Sequence, residues 1–197
     1  MAGSDILLSS KETELKAASW IPLPRRSSVR RRMIMFSPKY IVKRAKSKEN
    51  QNLRFRSWLK WHVSEKELDE AFRELHEELF ANYNCCQCGN CCRMYRTTVE
   101  PSEMERIAEA LGITVEELKE TYLLHENDID TFPAPCPMLQ ADGTCRIQDV
   151  KPEECCAFPY TDRPDRMSSL YSVMEYAGMC PVVYEIVERL KLRYQFV

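Results

Sequence analysis

The stretch Cys85-Cys86-Gln87-Cys88-Gly89-Asn90-Cys91-Cys92 places five cysteines within eight residues. Three of them form a C-x2-C-x2-C pattern, in which each two-residue loop lets successive sulfurs turn toward one ion or cluster. Gly89 and Asn90 both tolerate positive φ, so the backbone can fold back and direct N–H groups at the sulfurs. The stretch therefore predicts about half of a metal site.

Five further cysteines follow downstream, most of them at a turn or at the end of an element rather than inside a periodic apolar stripe. They are Cys136 in Pro-Cys-Pro, Cys145 in Gly-Thr-Cys-Arg-Ile, the pair Cys155-Cys156, and Cys180 before Pro181. Metal ligands commonly occupy such places. We therefore expect these cysteines to complete the site, so that the metal ties an early helix, the central loops and the terminal helix together.

The chain carries none of the segments that would take it out of a reducing compartment. Ile6-Leu7-Leu8 is too short for the apolar core of an export signal, and no apolar run approaches the roughly 18 residues that a membrane span needs. We therefore expect a cytoplasmic protein without a transmembrane segment. In that setting ten cysteines predict metal binding rather than a disulfide scaffold.

Charge divides the chain into two unlike parts. Residues 1–60 hold fifteen Lys or Arg and four acidic residues, whereas residues 61–197 hold thirteen and twenty-six. Residues 1–52, with the self-repelling run Arg25–Arg32, predict a basic N-terminal arm that is flexible and solvated. The alternative is that the arm binds an anionic partner, either nucleic acid or a membrane surface.

Residues 53–197 predict a helix-rich α+β domain with short strands and long loops. Phe55, Trp58, Leu59 and His62 follow helical spacing, and we expect this face to pack on the domain rather than lie on a membrane. The remaining predicted elements are a helix capped by Ser64 and Glu67, helices opened by Ser102…Glu105 and Thr114…Glu117 and separated at Gly112, a loop over 126–152 with a short strand near Thr144–Ile147, a strand at Tyr171–Tyr176, and a terminal helix from Pro181.

Taken together, these motifs resemble the YkgJ-type cysteine-cluster proteins, a family of zinc- or iron-chelating domains that includes the flagellin lysine N-methylases. The resemblance covers about residues 80–185. It rests on Cys85-x2-Cys88-Gly89-x-Cys91-Cys92, Cys136-Pro-Met-Leu, Cys145-Arg-Ile-x3-Lys151-Pro152-x2-Cys155-x2-Phe158-Pro159-Tyr160 and Cys180-Pro181. The ligands that the resemblance implies are Cys85, Cys88, Cys91, Cys92, Cys136, Cys145, Cys155 and Cys180.

Three positions depart from the family pattern. Gln148 replaces an aromatic residue, Lys151 replaces an Arg, and Cys156 replaces an Arg that would place a planar cation close to the thiolates. Cys156 is itself an alternative ligand. The choice between Cys155 and Cys156 therefore stays open, as does the choice between Cys85 and Cys86.

Two kinds of metal fit eight thiolates. They could hold two Zn²⁺ ions in separate sites of four thiolates each, or an iron–sulfur cluster such as [4Fe-4S] with spare cysteines left over. The thiolate charge would need N–H donors and cations nearby. Six basic residues lie close to cysteines in the sequence, namely Arg93, Arg96, Arg146, Lys151, Arg163 and Arg166.

Two functions are compatible with this ligand set. The first is a metal-binding domain with a mainly structural site, used for metal handling or to present the arm to a protein partner. The second, which the family resemblance implies, is an iron–sulfur-dependent protein lysine N-methyltransferase that uses S-adenosylmethionine. Against the second, the five glycines are isolated and the C-x3-C-x2-C run of radical S-adenosylmethionine enzymes is absent, because position 95 is Tyr95.

Overall fold

A computed structural model describes residues 38–81 and 83–197, and their architecture is helix-rich α+β, as the sequence predicts. Within this part the helices are α1 (Pro38–Ser47), α2 (Glu49–His62), α3 (Glu65–Phe80), α4 (Cys85–Cys88), α5 (Asn90–Met94), α6 (Pro101–Leu111), α7 (Val115–Tyr122), α8 (Glu153–Ala157), α9 (Arg166–Tyr176) and α10 (Pro181–Arg193). The strands are β1 (Thr97–Thr98), β2 (Leu124–Glu126) and β3 (Ile129–Phe132), and one 3-10 turn covers Gln148–Val150.

Helices α2, α3, α9 and α10 build the larger of two hydrophobic clusters. α2 packs against α9, and α3 packs against both α9 and α10. Each of these helices contributes a fully buried side chain to the cluster, namely Phe55, Phe72, Leu170 and Ile186. Packing of their apolar stripes, rather than helix propensity, is what stabilises such a bundle.

The second hydrophobic cluster belongs to the sheet. The strands are antiparallel in the order β1-β3-β2, with Thr97 opposite Phe132 and Leu124 opposite Thr131. Phe132 packs with the buried apolar residues of α6 and α7, and with Met138 and Ile147 from the loops that follow. The protein therefore has a helical side and a sheet side, and the cysteine-rich segments connect them.

Helix ends follow the sequence signals in most places. Ser64 caps α3, Gly112 ends α6 at φ 69°, and Pro181 opens α10. The box predicted at Ser102…Glu105 is wrong by two residues, because the cap of α6 is Glu100, which pairs reciprocally with Glu103. Pro101 fixes that start, since proline is favoured in the first helical turn, where its missing N–H costs nothing.

Two strand predictions are wrong. Residues Tyr171–Tyr176 lie in helix α9, because Leu170, Val173 and Met174 have helical spacing and are buried in the larger cluster. Near Thr144–Ile147 the backbone forms a single bridge, between Cys145 and Leu139, and no strand. The predicted 126–152 loop also contains β3, whose hairpin turn places Asn127 and Asp128 at positive φ.

The predicted basic arm includes residues 38–52, and the structure places these in α1 and the start of α2. α1 buries Ile41 and Ala45 against Tyr184 of α10, and Asn52 of α2 is buried as well. Two buried apolar residues four positions apart are enough to anchor one face of a basic helix. The arm prediction for residues 1–37 lies outside the described residues.

The Thr114 cap gives a direct test of the helix capping described above. The Thr114 hydroxyl accepts a hydrogen bond from the Glu117 N–H at 3.1 Å, and the Glu117 carboxylate accepts one from the Thr114 N–H at 2.9 Å. Replacing Thr114 by Ala is expected to lower the free energy of unfolding by about 1 kcal/mol, measured by urea denaturation. Ser102→Ala is the control, and a loss as large as that of Thr114→Ala would contradict the assignment of Glu100 as the cap of α6.

Candidate metal centre

Gly89 divides the first cysteine cluster into two short helices. It adopts φ 56°, a left-handed conformation that glycine reaches without steric cost, and α4 ends and α5 begins around it. A Cβ added there would lie 2.7 Å from Nη1 of Arg93, so the Arg93 guanidinium would have to move. The predicted fold-back of the backbone therefore occurs at Gly89.

Asn90 fastens this cluster to the helical side of the protein. Its side chain is buried and donates a hydrogen bond from Nδ2 to the Met179 carbonyl at 2.6 Å. Met179 immediately precedes Cys180, the residue from which α10 begins. The contact therefore brings the C-x2-C-x2-C segment next to Cys180, about 90 residues away in the chain.

The sheet side is fastened to the same cluster by a second backbone contact. The Cys136 N–H donates a hydrogen bond to the Cys92 carbonyl at 2.7 Å. Cys136 and Cys145 flank a turn closed by the Leu139–Cys145 bridge, and the Cys155 thiol on α8 lies 3.5 Å from the Thr97 hydroxyl on β1. Three remote cysteines thus approach Cys92.

These segments enclose one cavity of about 100 Å³, which we call the cysteine cavity. Eight cysteines line it, and they are the eight that the family resemblance implies: Cys85, Cys88, Cys91, Cys92, Cys136, Cys145, Cys155 and Cys180. Cys156 is exposed and is not among the lining residues of the described part of the chain. Cys85 lines the cavity, and the side chain of Cys86 lies outside the described residues.

The thiols that influence one another's pKa fall into two overlapping groups, which meet at Cys91 and Cys92. Burial raises the pKa of Cys180 to about 12, and nearby Cys85 and Cys88 contribute to the rise. The charges of Cys85 and Cys180 also raise the pKa of Cys91. These four thiols lie on the helical side, and we call them the helical set: Cys85, Cys88, Cys91 and Cys180.

The other four thiols are Cys155 and Cys136 and the two thiols whose charges act on both of them. Burial raises the pKa of Cys155 to about 12, with added contributions from Cys136, Cys92 and Cys145. Burial also raises the pKa of Cys136, with Cys92 and Cys145 as its charged neighbours. We call these four the sheet set: Cys92, Cys136, Cys145 and Cys155.

Cys91 and Cys92 are where the two sets meet. The Cys91 thiol donates a hydrogen bond to Cys92, which lowers the pKa of Cys92 to about 6 and raises that of Cys91. Lys151 and Arg93 also lower the pKa of Cys92 through their positive charges. A thiolate is the form that binds metal, so the lowered pKa of Cys92 favours its coordination.

Only one of the six basic residues considered from the sequence lines the cavity, and it is Lys151. Arg93 is not among the lining residues, but it donates hydrogen bonds to the carbonyls of Cys88 and Gly89, which are. The other four have different contacts. Arg96 pairs with Glu126, Arg146 lies over the Tyr122 ring, Arg163 lies over the Tyr160 ring, and Arg166 donates to the carbonyls of Tyr160 and Pro164.

Two polar residues at the site were missed in the sequence. Tyr83 lines the cavity, and its pKa is raised by burial and by a hydrogen bond with Cys88. Thr97 meets Cys155, as described above. Tyr83 lies between α3 and the first cysteine, a place where a polar aromatic residue could have been suspected, whereas nothing in the sequence around Thr97 pointed to the site.

The donor chemistry of the cavity fits a soft metal. Among the described lining residues there is no His, Asp or Glu, so the wall lacks the carboxylate ligands on which Mg²⁺ and Ca²⁺ sites usually depend. Eight thiols instead suit Zn²⁺ or iron–sulfur chemistry. In the described part of the chain, no three such side chains are already gathered closely enough to hold one ion, so binding would have to draw the sulfurs together.

Comparison with known proteins agrees with this donor set. Residues 84–181 match the family model CxxCxxCC, described as "Putative zinc- or iron-chelating domain". Neither the curated proteins nor the solved structures gave a significant match to the chain.

Proposed function

Because residues 84–181 make this chain a member of the CxxCxxCC family of zinc- or iron-chelating domains, we propose that it binds two Zn²⁺ ions, one in the helical set and one in the sheet set. The observation that carries the proposal is one cavity lined by eight cysteines, in which the Asn90–Met179 contact joins the first cluster to Cys180 and the Cys136–Cys92 hydrogen bond joins it to the sheet side. Four thiolates around one Zn²⁺ make a closed tetrahedral site.

The proposed role of both ions is structural. A closed four-thiolate site leaves no position for water, so it does not supply hydrolytic chemistry. The helical set would join α4 and α5 to the start of α10, and the sheet set would join α5 to the central turn and α8. The two ions would thereby hold the helical and sheet sides of the domain together.

Metal analysis of anaerobically purified protein tests the proposal. We expect two zinc atoms per chain and no visible absorption. Two ions in four-thiolate sites carry about −4 in formal charge, which Lys151, Arg93 and neighbouring N–H groups would offset in part. A brown protein with iron and acid-labile sulfide would contradict the zinc assignment, and binding of S-adenosylmethionine in calorimetry would favour the methyltransferase alternative.

A further inference from the structure

Helix α2 has two apolar faces, and only one of them packs on the protein. The inner face buries Asn52, Phe55 and Leu59. On the opposite side Trp61 is 86% exposed and Leu53 is 39% exposed. The exposed residues of this side recur at helical spacing, and we call them the α2 outer face: Leu53, Arg54, Ser57, Lys60 and Trp61.

The α2 outer face lies in the most basic part of the described chain. Residues 38–62 contain eight Lys or Arg and one acidic residue, for a net charge of +7, whereas residues 63–197 contain thirteen basic and twenty-six acidic residues. Tyr40 and Val42 add two further exposed apolar side chains on neighbouring α1. The charge of the protein is therefore strongly polarised.

Several basic residues of this region have no acidic partner. Lys43, Lys46, Arg54 and Lys60 form no ion pair with a carboxylate in the described part of the chain, and all four are exposed. On the remaining surface, Arg73, Arg189 and Arg193 are paired with glutamates of α3 or α10. Unpaired cations beside exposed Trp and Leu are typical of a helix that lies at an interface.

We propose that the α2 outer face docks this protein on an anionic phospholipid surface. Tryptophan suits the headgroup level of a bilayer, and lysine and arginine reach back to the phosphates. Leu53 distinguishes a membrane from a nucleic acid, because an aliphatic side chain gains free energy among acyl chains and little against a sugar–phosphate backbone. The acidic remainder of the protein is repelled by the same surface, which fixes the orientation.

The docking is peripheral. No helix in residues 38–81 or 83–197 is long and apolar enough to cross a membrane. In the sequence, the basic run Arg25–Arg32 precedes α1 by only a few residues and adds to the positive charge of the N-terminal part of the chain. The proposal does not depend on which metal the cysteine cavity binds.

Vesicle sedimentation with the full-length, metal-loaded protein tests the proposal. We expect binding to vesicles of phosphatidylcholine with 30% phosphatidylserine, weakened by salt, and little binding to pure phosphatidylcholine. Lys60→Glu should lower the partition coefficient at least about fivefold, because each basic residue near an anionic surface contributes about 1 kcal/mol. Trp61→Ala should lower it about tenfold through the loss of buried apolar area.

Two matched variants control for general effects of charge and hydrophobicity. Lys119→Glu reverses an exposed charge on α7, and Leu192→Ala removes a side chain that is 72% exposed on α10. Both should bind vesicles like the wild type, and metal content should be unchanged in all four variants. The proposal is overturned if anionic vesicles do not bind the protein, if Lys60→Glu and Trp61→Ala bind them unchanged, or if single-stranded RNA binds with the same dependence on these residues in place of the vesicles.

Discussion

Removing the metal with a strong chelator is expected to abolish the cooperative unfolding transition of this protein. Structural zinc sites in finger peptides contribute apparent binding free energies of about 10–16 kcal/mol, whereas a whole domain has a net stability of about 5–15 kcal/mol. Loss of even one ion would therefore remove a free energy as large as the entire net stability. Urea denaturation followed by near-ultraviolet circular dichroism measures the effect.

The loss should not be uniform across the molecule. The helical side has a continuous cluster of buried apolar side chains from α2, α3, α9 and α10, which can retain helix without metal. The sheet has strands of only two to four residues, and β1 is held by its pairing with β3 and by the Glu154 carboxylate that accepts from the Thr98 N–H. Amides of the sheet side should thus lose protection from hydrogen exchange before those of α3 and α10.

Readdition of Zn²⁺ is the control for this experiment, and it should restore both the transition and the protection pattern. A chelator-treated protein that contains no metal and yet unfolds with the same midpoint and cooperativity would show that the cysteine cavity does not stabilise the fold. Equal loss of protection on both sides would contradict the assignment of an independent apolar core to the helical side.

The cavity-lining cysteines could be predicted from the sequence, but their division into sets could not. The family resemblance identifies the eight residues, whereas ligand spacing and turn positions alone leave the choices between Cys85 and Cys86 and between Cys155 and Cys156 open. The division depends instead on contacts between segments distant in the chain. The Asn90 bond to the Met179 carbonyl decides that Cys180 approaches the helical set, and the Cys136 bond to Cys92 decides where Cys136 lies.

The two clearest errors in the fold have the same cause. The segment Tyr171-Ser172-Val173 has local β character, but packing against α2 and α3 makes it part of α9. In α1 the density of Lys and Arg obscured Ile41 and Ala45, whose burial against Tyr184 fixes the helix on α10. In both cases tertiary burial overrode a local compositional signal, which a single sequence does not reveal.

Paired cysteine substitutions are expected to separate the two metal sites. Cys180→Ser removes a ligand of the helical set, and Cys155→Ser removes one of the sheet set, so each variant should bind one zinc atom instead of two. The double variant Cys88→Ser/Cys180→Ser, within one set, should still bind one. The double variant Cys155→Ser/Cys180→Ser, across the sets, should bind none.

The free energy of unfolding of these variants should change in the same pattern as their metal content. Within a set, the second substitution acts on a site that is already lost, so its effect on the free energy of unfolding should be strongly non-additive with the first. Across the sets the two losses should be closer to additive, because each removes a separate ion. Cys156→Ser is the matched control and should retain two zinc atoms and wild-type stability, since its thiol is exposed and outside the cysteine cavity. If every one of these variants except Cys156→Ser lost all metal, the cysteines would act as a single polynuclear site, and the division into two sets would be wrong.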